Sequence, residues 1–473
     1  MGNSTSNEKQ QQKYVSLTPQ EQRILENSFK LLASGGNTKD IKTEQIRIAW
    51  RAIVGDAMTE YVINFFNSRP KKAIDYSLYL EPYLIMEKYD KTQQINFLGN
   101  SLSEKGASPD GNLVLEEIQK YVSAVVKTYR RALPFYSDSF ETWKKHGYRY
   151  EDQTAETLAN AFLKQFYKES KTLILEEELE KFLQYNFSFQ IMWREVIAYL
   201  YGYRAPDRLE KLLVNTEPLL PALEGLTEAH KNYKPIMEIP HTIYMNSHLH
   251  YTLRNKWRFL FSSKIMGESF STMLGKILNR GPTMLVVEDE DNYLFAGFAP
   301  QSWSKGLNFG GDDTSMLFTL RPEMRSFAST KYNDHYQYLH ISQQTLPNGL
   351  GMGGQFNYWG LWLDSEYGKG QSSETCTTFR DYVQLSKQKE FRIKNVEVWG
   401  VGDEPKLSED SDDEEINVGR IKFKNGTKFL ISFVLQDTNK KSVLDKNLED
   451  RVMLQMSGHK MHSEGLREPE MDL

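Results

Sequence analysis

Between residues 18 and 130 apolar positions recur at helical spacing, with short polar breaks. Thr18-Pro19-Gln20-Glu21 reads as a helix start: a hydroxyl cap, a proline in the first turn, and a glutamate three residues after the cap. Ile24, Leu25, Ser28, Phe29 and Leu32 then share a face, and Gly35-Gly36 is placed to end the helix. Ile46, Ala49, Trp50 and Ile53 repeat the period. Residues 135–235 carry the same signature in Leu158, Ala161, Phe162 and Phe166, and again in Ile191, Val196, Ile197 and Leu200. Pro206, Pro218, Pro221 and Pro235 punctuate the later part. Core packing accounts for these stripes.

From about residue 257 the period becomes that of strands. TMLVVEDEDNYLFAGFAP reads as strand, turn, strand with Asp291-Asn292 at the tip, and SMLFTL, YQYLHI, FNYWGLWLD and FRIKNVEVWGVG are further short strands. Gly267-Glu268-Ser269-Phe270 opens a helical stretch that runs to Leu278. The fold class is α+β: a helical N-terminal half, then a mostly antiparallel sheet with helices beside it. After the last strand come the acidic run DEPKLSEDSDDEE and a predicted hairpin, INVGRIKFKNGTKFLISFV, turning at Asn425-Gly426. This insertion is expected to add to the sheet edge. The tail predicts one more helix. Ser442 can cap it, Leu444, Leu448, Val452 and Met456 share a face, and Gly458 can end it. That face either packs back or docks in a partner's groove.

These patterns divide the chain into a polar tail (1–17), helical regions 18–130 and 131–239, a sheet domain (240–402), an acidic loop (403–417), the hairpin (418–436) and the C-terminal helix and tail (437–473). Composition narrows the function. A net charge of −5 leaves no global basic excess for nucleic acid. One cysteine, Cys376, excludes an internal disulfide framework and any multi-cysteine zinc site. No run of 18 apolar residues suits a membrane span, and the polar start has no apolar h-region.

That start, MGNSTS, does match the myristoylation pattern, with Gly2 after Met1 and Ser6 at the hydroxyl position. One myristoyl chain binds a bilayer with a constant of only about 10⁴ M⁻¹, so a second contact is required. Residues 2–30 hold four Lys/Arg against three Asp/Glu, which is no polybasic patch. The second contact is therefore expected to be a membrane-resident protein.

GASPDGNLVLEE has the outline of an EF-hand loop: Gly111 at the sharp turn, Leu113 at the eighth position and Glu117 at the twelfth. Position one is Gly106, where calcium needs a carboxylate; Ser108 and Asp110 fill positions three and five. The loop SGGNTKDIKTEQ lies further from a calcium pattern. The expectation is a helix-loop-helix of EF-hand shape without calcium.

The blocks WRFLFSSKIMGESFSTML, LVVEDEDNYLFAGFAPQSW, GLGMGGQFNYWGLWLD, GQSSETCTTF and VEVWGVG, in that order over residues 240–402, resemble the TLDc domain family. Gly267, Ser269, Phe270, Gly360, Trp362, Asp364, Trp399 and Gly400 carry the motif. With the myristoylation motif, the EF-hand-like part and the tail SVLDKNLEDRVMLQMSGHKMHSEGLRE, the order resembles the N-myristoylated, lysosome-linked, mTOR-associated branch of that family. The resemblance implies a two-layer antiparallel β-sandwich flanked by helices. It also implies binding to the vacuolar-type proton ATPase, mTOR signalling components as partners, a role in oxidative-stress resistance, and a place on the cytoplasmic face of the lysosomal membrane and in the cytoplasm. A monomer is expected.

No catalytic, cofactor or metal residues are assigned. GLGMGG formally fits G-x-G-x-x-G, but Pro347-Asn348 precede it and a strand follows, so no helix N-terminus meets a pyrophosphate. Its glycines read as close backbone approach in a loop. His248 and His250 have no accompanying ligand set. Cys376 has Glu374 nearby and no local cation, which suits a small buried residue. Ser411 precedes four acids and is a candidate phosphorylation site. The reading is a non-enzymatic, membrane-recruited regulator; the alternatives are a calcium-myristoyl switch and an antioxidant enzyme using Cys376.

Overall fold

Four helix–strand–helix units build the N-terminal half. The first two are Pro19–Leu32, β1 (Asp40–Ile41) and Thr43–Val54, then Asp56–Asn67, β2 (Ile74–Asp75) and Tyr76–Lys88. The next two are Lys91–Ser101, β3 (Leu113–Val114) and Leu115–Tyr136, then Asp152–Lys164, β4 (Leu173–Ile174) and Glu176–Tyr185. The computed structural model describes residues 17–405 except 34–38, 71–72, 103–111, 165–170, 203–217, 228–229, 231–232 and 343. The units pair through two-residue antiparallel ladders, Ile41 opposite Ile74 and Leu113 opposite Ile174. The helix–strand–helix units therefore lie in two pairs. The helix starts follow from local chemistry: Thr18 Oγ1 accepts the Glu21 N–H (3.2 Å) while Glu21 returns a bond to the Thr18 N–H (2.7 Å). Asp75 and Asp90 cap their helices the same way. The Phe187–Gly202 helix is buried on almost every side and forms the axis of this half. Trp193 donates to the Tyr121 hydroxyl (2.8 Å) and Tyr201 to the Tyr79 carbonyl (2.7 Å).

The second half is a sandwich whose two layers share one strand. The strands are β5 (Ala222–Glu224), β6 (Lys256–Ser262), β7 (Thr283–Asp289), β8 (Leu294–Ala299), β9 (Met316–Arg321) and β10 (Arg325–Ala328). They continue with β11 (Tyr338–His340), β12 (Gly349–Gln355), β13 (Tyr358–Asp364), β14 (Lys369–Gln371) and β15 (Glu390–Val401). The first residues of β15 pair with β14, leading on to β13, β12 and β11. From Ile393 it pairs with β7, and from Glu397 also with β6. A register shift between Ile393 and Asn395 marks the change. All ladders are antiparallel except β5–β6. One strand, β5, comes from the stretch whose pattern is helical, where three residues before a break leave no period to read.

Each layer gives side chains to the space between: Leu285, Val287, Phe295 and Leu317 from one, Leu350, Met352, Leu361 and Leu363 from the other. The opposite face of the first layer is also buried. Met284, Val286, Phe298, Phe318, Leu320 and Trp399 belong to the core of the helical half. All seven residues of β7 and all six of β8 are therefore buried.

The GLGMGG segment is strand β12, not a loop. Close approach holds, and the rings it admits are identifiable: a Cβ on Gly351 would lie 2.5 Å from the Trp359 ring, and one on Gly349 2.4 Å from Trp362. Trp359 and Trp362 stack at 4.4 Å over this bare backbone. Gly354, at φ +83° near the end of β12, sits where a side chain would strike the Tyr358 carbonyl. Gly351→Ala is expected to destabilise the protein by about 1–3 kcal/mol through overpacking, read as a lower urea midpoint at unchanged slope. An unchanged midpoint would contradict the ring placement.

Candidate functional site at the seam between the helical half and the sheet

The seam is aromatic. Trp143, on the short Phe140–Lys145 helix, sits 5.5 Å from Trp399 of β15 and 6.5 Å from Trp257 of β6. Tyr148 and Phe259 pack on Trp399 at 6.0 and 5.2 Å. Every indole N–H is satisfied. Trp143 donates to the Pro221 carbonyl (2.7 Å), Trp257 to Asn246 Oδ1 (3.0 Å) and Trp399 to Glu397 Oε2 (3.3 Å).

Glu397 is the one carboxylate inside this apolar cluster, with no exposure to solvent. Its Oε1 accepts the Ile236 N–H (2.9 Å) and the Tyr233 hydroxyl, so it ties the connector before the Ile239–Ser247 helix to β15. Burial pushes its pKa up to about 7, against the opposing pull of the Ile236 and Trp399 donors. Burying one tryptophan contributes roughly 4–6 kcal/mol at about 25 cal/mol per Å². Three such rings exceed the several kcal/mol that an ionised buried carboxylate costs. His241, on the following helix, accepts the Glu238 N–H at Nδ1 (2.9 Å); burial first, then Arg321, push its pKa down to about 3, which keeps it neutral.

Further along, the seam opens into a cleft of about 630 Å³. Leu115, Lys164 and Lys171 line it, as do Tyr244 of the Ile239–Ser247 helix and Arg325 and Ser326 of the edge strand β10. No group of three His, Cys, Asp or Glu side chains suited to a metal occurs among the described residues. No helix among them is long and apolar enough to cross a membrane.

The block from the connector to the end of β15, residues 230–402, matches the TLDc domain. The chain is similar to the MTOR-associated protein MEAK7 of Gallus gallus, 39% identical over 298 residues, covering 63% of this chain and 56% of that protein. The Homo sapiens MEAK7 is 41% identical over 247 residues, 52% and 48% of the two chains. The Nuclear receptor coactivator 7 of Homo sapiens is 31% identical over 144 residues, 30% of this chain and 14% of that protein. The match spans about half the length of the MEAK7 relatives.

Within the TLDc domain the motif residues are structural and fall into separate places. Gly267 (φ +85°) ends the Ser263–Met266 helix, Ser269 caps the Phe270–Ile277 helix by accepting the Thr272 N–H (3.2 Å), and Phe270 is buried between the layers. Gly360 leaves room for the Cys376 sulfur, Trp362 stacks on Trp359, and Asp364 accepts the Glu366 N–H (2.8 Å) after β13. Trp399 and Gly400 lie at the seam, where Gly400 makes room for the Arg258 guanidinium. Gly2, Ser411, Leu444, Leu448, Val452 and Met456 lie outside the described residues. Burial pushes the Cys376 thiol up, away from the thiolate that a peroxidatic cysteine uses. Glu117, twelfth in the EF-hand-like loop, pairs with Lys120 at 2.9 Å.

Sequence reasoning missed Glu397. Its signal was present: a lone glutamate in VEVWGVG, among residues that all suit a buried strand. Because the folded pKa lies above the unfolded value, Glu397 favours folding most below about pH 4.5 and loses that contribution as pH rises to about 7. Glu397→Gln cannot ionise. Urea unfolding should therefore show wild-type stability falling relative to the variant by up to about 3 kcal/mol between pH 4.5 and 7. Parallel pH curves would contradict this.

Proposed function

We propose that this chain is a non-enzymatic regulator that acts in mTOR signalling from the cytoplasmic face of the lysosomal membrane. The TLDc match of residues 230–402 and the similarity of the chain to the MTOR-associated protein MEAK7 carry this reading. In it, a myristoyl group on Gly2 gives a weak bilayer contact. The TLDc domain and the Leu444, Leu448, Val452 and Met456 face of the tail give the specific contact, with the vacuolar-type proton ATPase. Two weak contacts on one surface become strong through effective concentration. The protein acts as a monomer, partitions between membrane and cytoplasm, and contributes to oxidative-stress resistance through the pump. The EF-hand-like pairs serve as a packing scaffold, supported by the missing carboxylate at Gly106 and by the ion pair that engages Glu117.

Gly2→Ala is expected to lower recovery in lysosomal membranes by on the order of tenfold, without changing affinity for the solubilised pump. Removal of residues 437–473 is expected to lower that affinity. Equal membrane recovery of the wild type and Gly2→Ala would contradict the lipid contact. Failure of the full chain to co-purify with the pump in any nucleotide state would contradict the protein contact.

A further inference from the structure

At one rim of the seam two cations pair with one carboxylate, and two lysines lie beside them. Arg321, the last residue of β9, donates from Nη2 to Glu288 Oε1 on β7 (3.0 Å). Lys394 of β15 lies 3.7 Å from the same oxygen. Lys264, from the Ser263–Met266 helix, donates to the Lys234 carbonyl (3.0 Å), and its ammonium lies within the field of Glu288, Lys394, Arg321 and Lys234. The other oxygen of Glu288 is engaged by Asn395 Nδ2 (2.6 Å), and the residue is buried. Lys234, Lys264 and Lys394 are exposed and Arg321 is half-buried.

The charges do not balance. Glu288 pairs with two of these four cations, and among the described residues the adjoining acids Glu290 and Asp291 form no ion pair with any of them. Lys264 registers the crowding. Partial burial pulls its ammonium below the usual lysine value, Glu288 opposes, and Lys394, Arg321 and Lys234 push the same way as burial. Arg321 Nε is buried with no hydrogen-bond partner. Like charges held this close on a rigid sheet rim disfavour the empty state, and an anion with several charges relieves them. A planar guanidinium beside mobile ammonium groups suits phosphate oxygens. The patch is compact and the chain is acidic overall, which suits one small polyanion rather than a nucleic-acid track.

We propose that Lys234, Lys264, Arg321 and Lys394 form a binding site for a multiply phosphorylated polyol, with Glu288 setting its affinity. This goes beyond pump binding and does not depend on it. The chemistry is shared by soluble inositol phosphates and by phosphoinositide headgroups, and the test separates them. Calorimetry of the full, non-myristoylated chain with inositol hexakisphosphate at physiological salt is expected to show binding. Lys264→Gln with Lys394→Gln is expected to weaken it at least about tenfold. Glu288→Gln removes the one opposing charge and is expected to tighten it several-fold, an outcome that damage to the fold does not produce. If the double-lysine variant fails to fold, Lys234→Gln takes its place. Sedimentation with phosphatidylcholine vesicles, with and without phosphatidylinositol 4-phosphate, then assigns the source. Pelleting that follows the same order of variants supports a lipid headgroup, and hexakisphosphate binding without pelleting supports a soluble ligand. Absence of binding in both arms, or equal affinity in wild type, the lysine variant and Glu288→Gln, overturns the site.

Discussion

The centre of the first layer, β7 and β8, has no solvent face, and the rest of the structure follows from that constraint. β7, β8 and β15 place alternate residues into two cores, one between the layers and one shared with the helices. A sheet of this kind cannot be stable alone, since removing the helices would uncover Trp257, Trp399, Phe298 and Phe318 together. The helical half and the TLDc domain are thus parts of one body, joined along an aromatic seam. Glu397 is tolerated there because the tryptophan burial around it outweighs its desolvation, and because its donors come from both sides of the seam.

The same geometry explains where the motif residues of the domain lie. The motif residues cap helices, admit rings or close strands. Burial holds His241 neutral and raises the Cys376 thiol. What the fold leaves for recognition is at the rims of the seam. One rim is a cleft beside the edge strand β10, and another is the cationic cluster around Glu288. For the tethered regulator proposed above, such places supply the specificity that a weak lipid contact lacks.

Much of this was legible in the sequence. The capped start at Thr18, the helical stripes, the hairpin turning at Asp291-Asn292 and the ordered TLDc blocks all have short-range causes, and the structure shows them. The units around β2 and β4 escaped notice because their connections lack even the outline of a ligand pattern, and only the ladder across to β1 and β3 makes them visible. β12 was hidden by its glycines. A strand normally declares itself through β-branched residues, whereas this one is bare so that Trp359 and Trp362 can lie on it. The Glu288 cluster has no sequence signature, since its members come from a connector, a helix and three strands.

The claim that matters most is that the helices and the sheet stand or fall together. Thermal unfolding of the full chain, followed at once by calorimetry, far-ultraviolet circular dichroism and tryptophan fluorescence, tests it directly. The shared core predicts one coincident transition for helix content and for the buried indoles of the seam. A helical transition separated from loss of the Trp143–Trp257–Trp399 environment would contradict it.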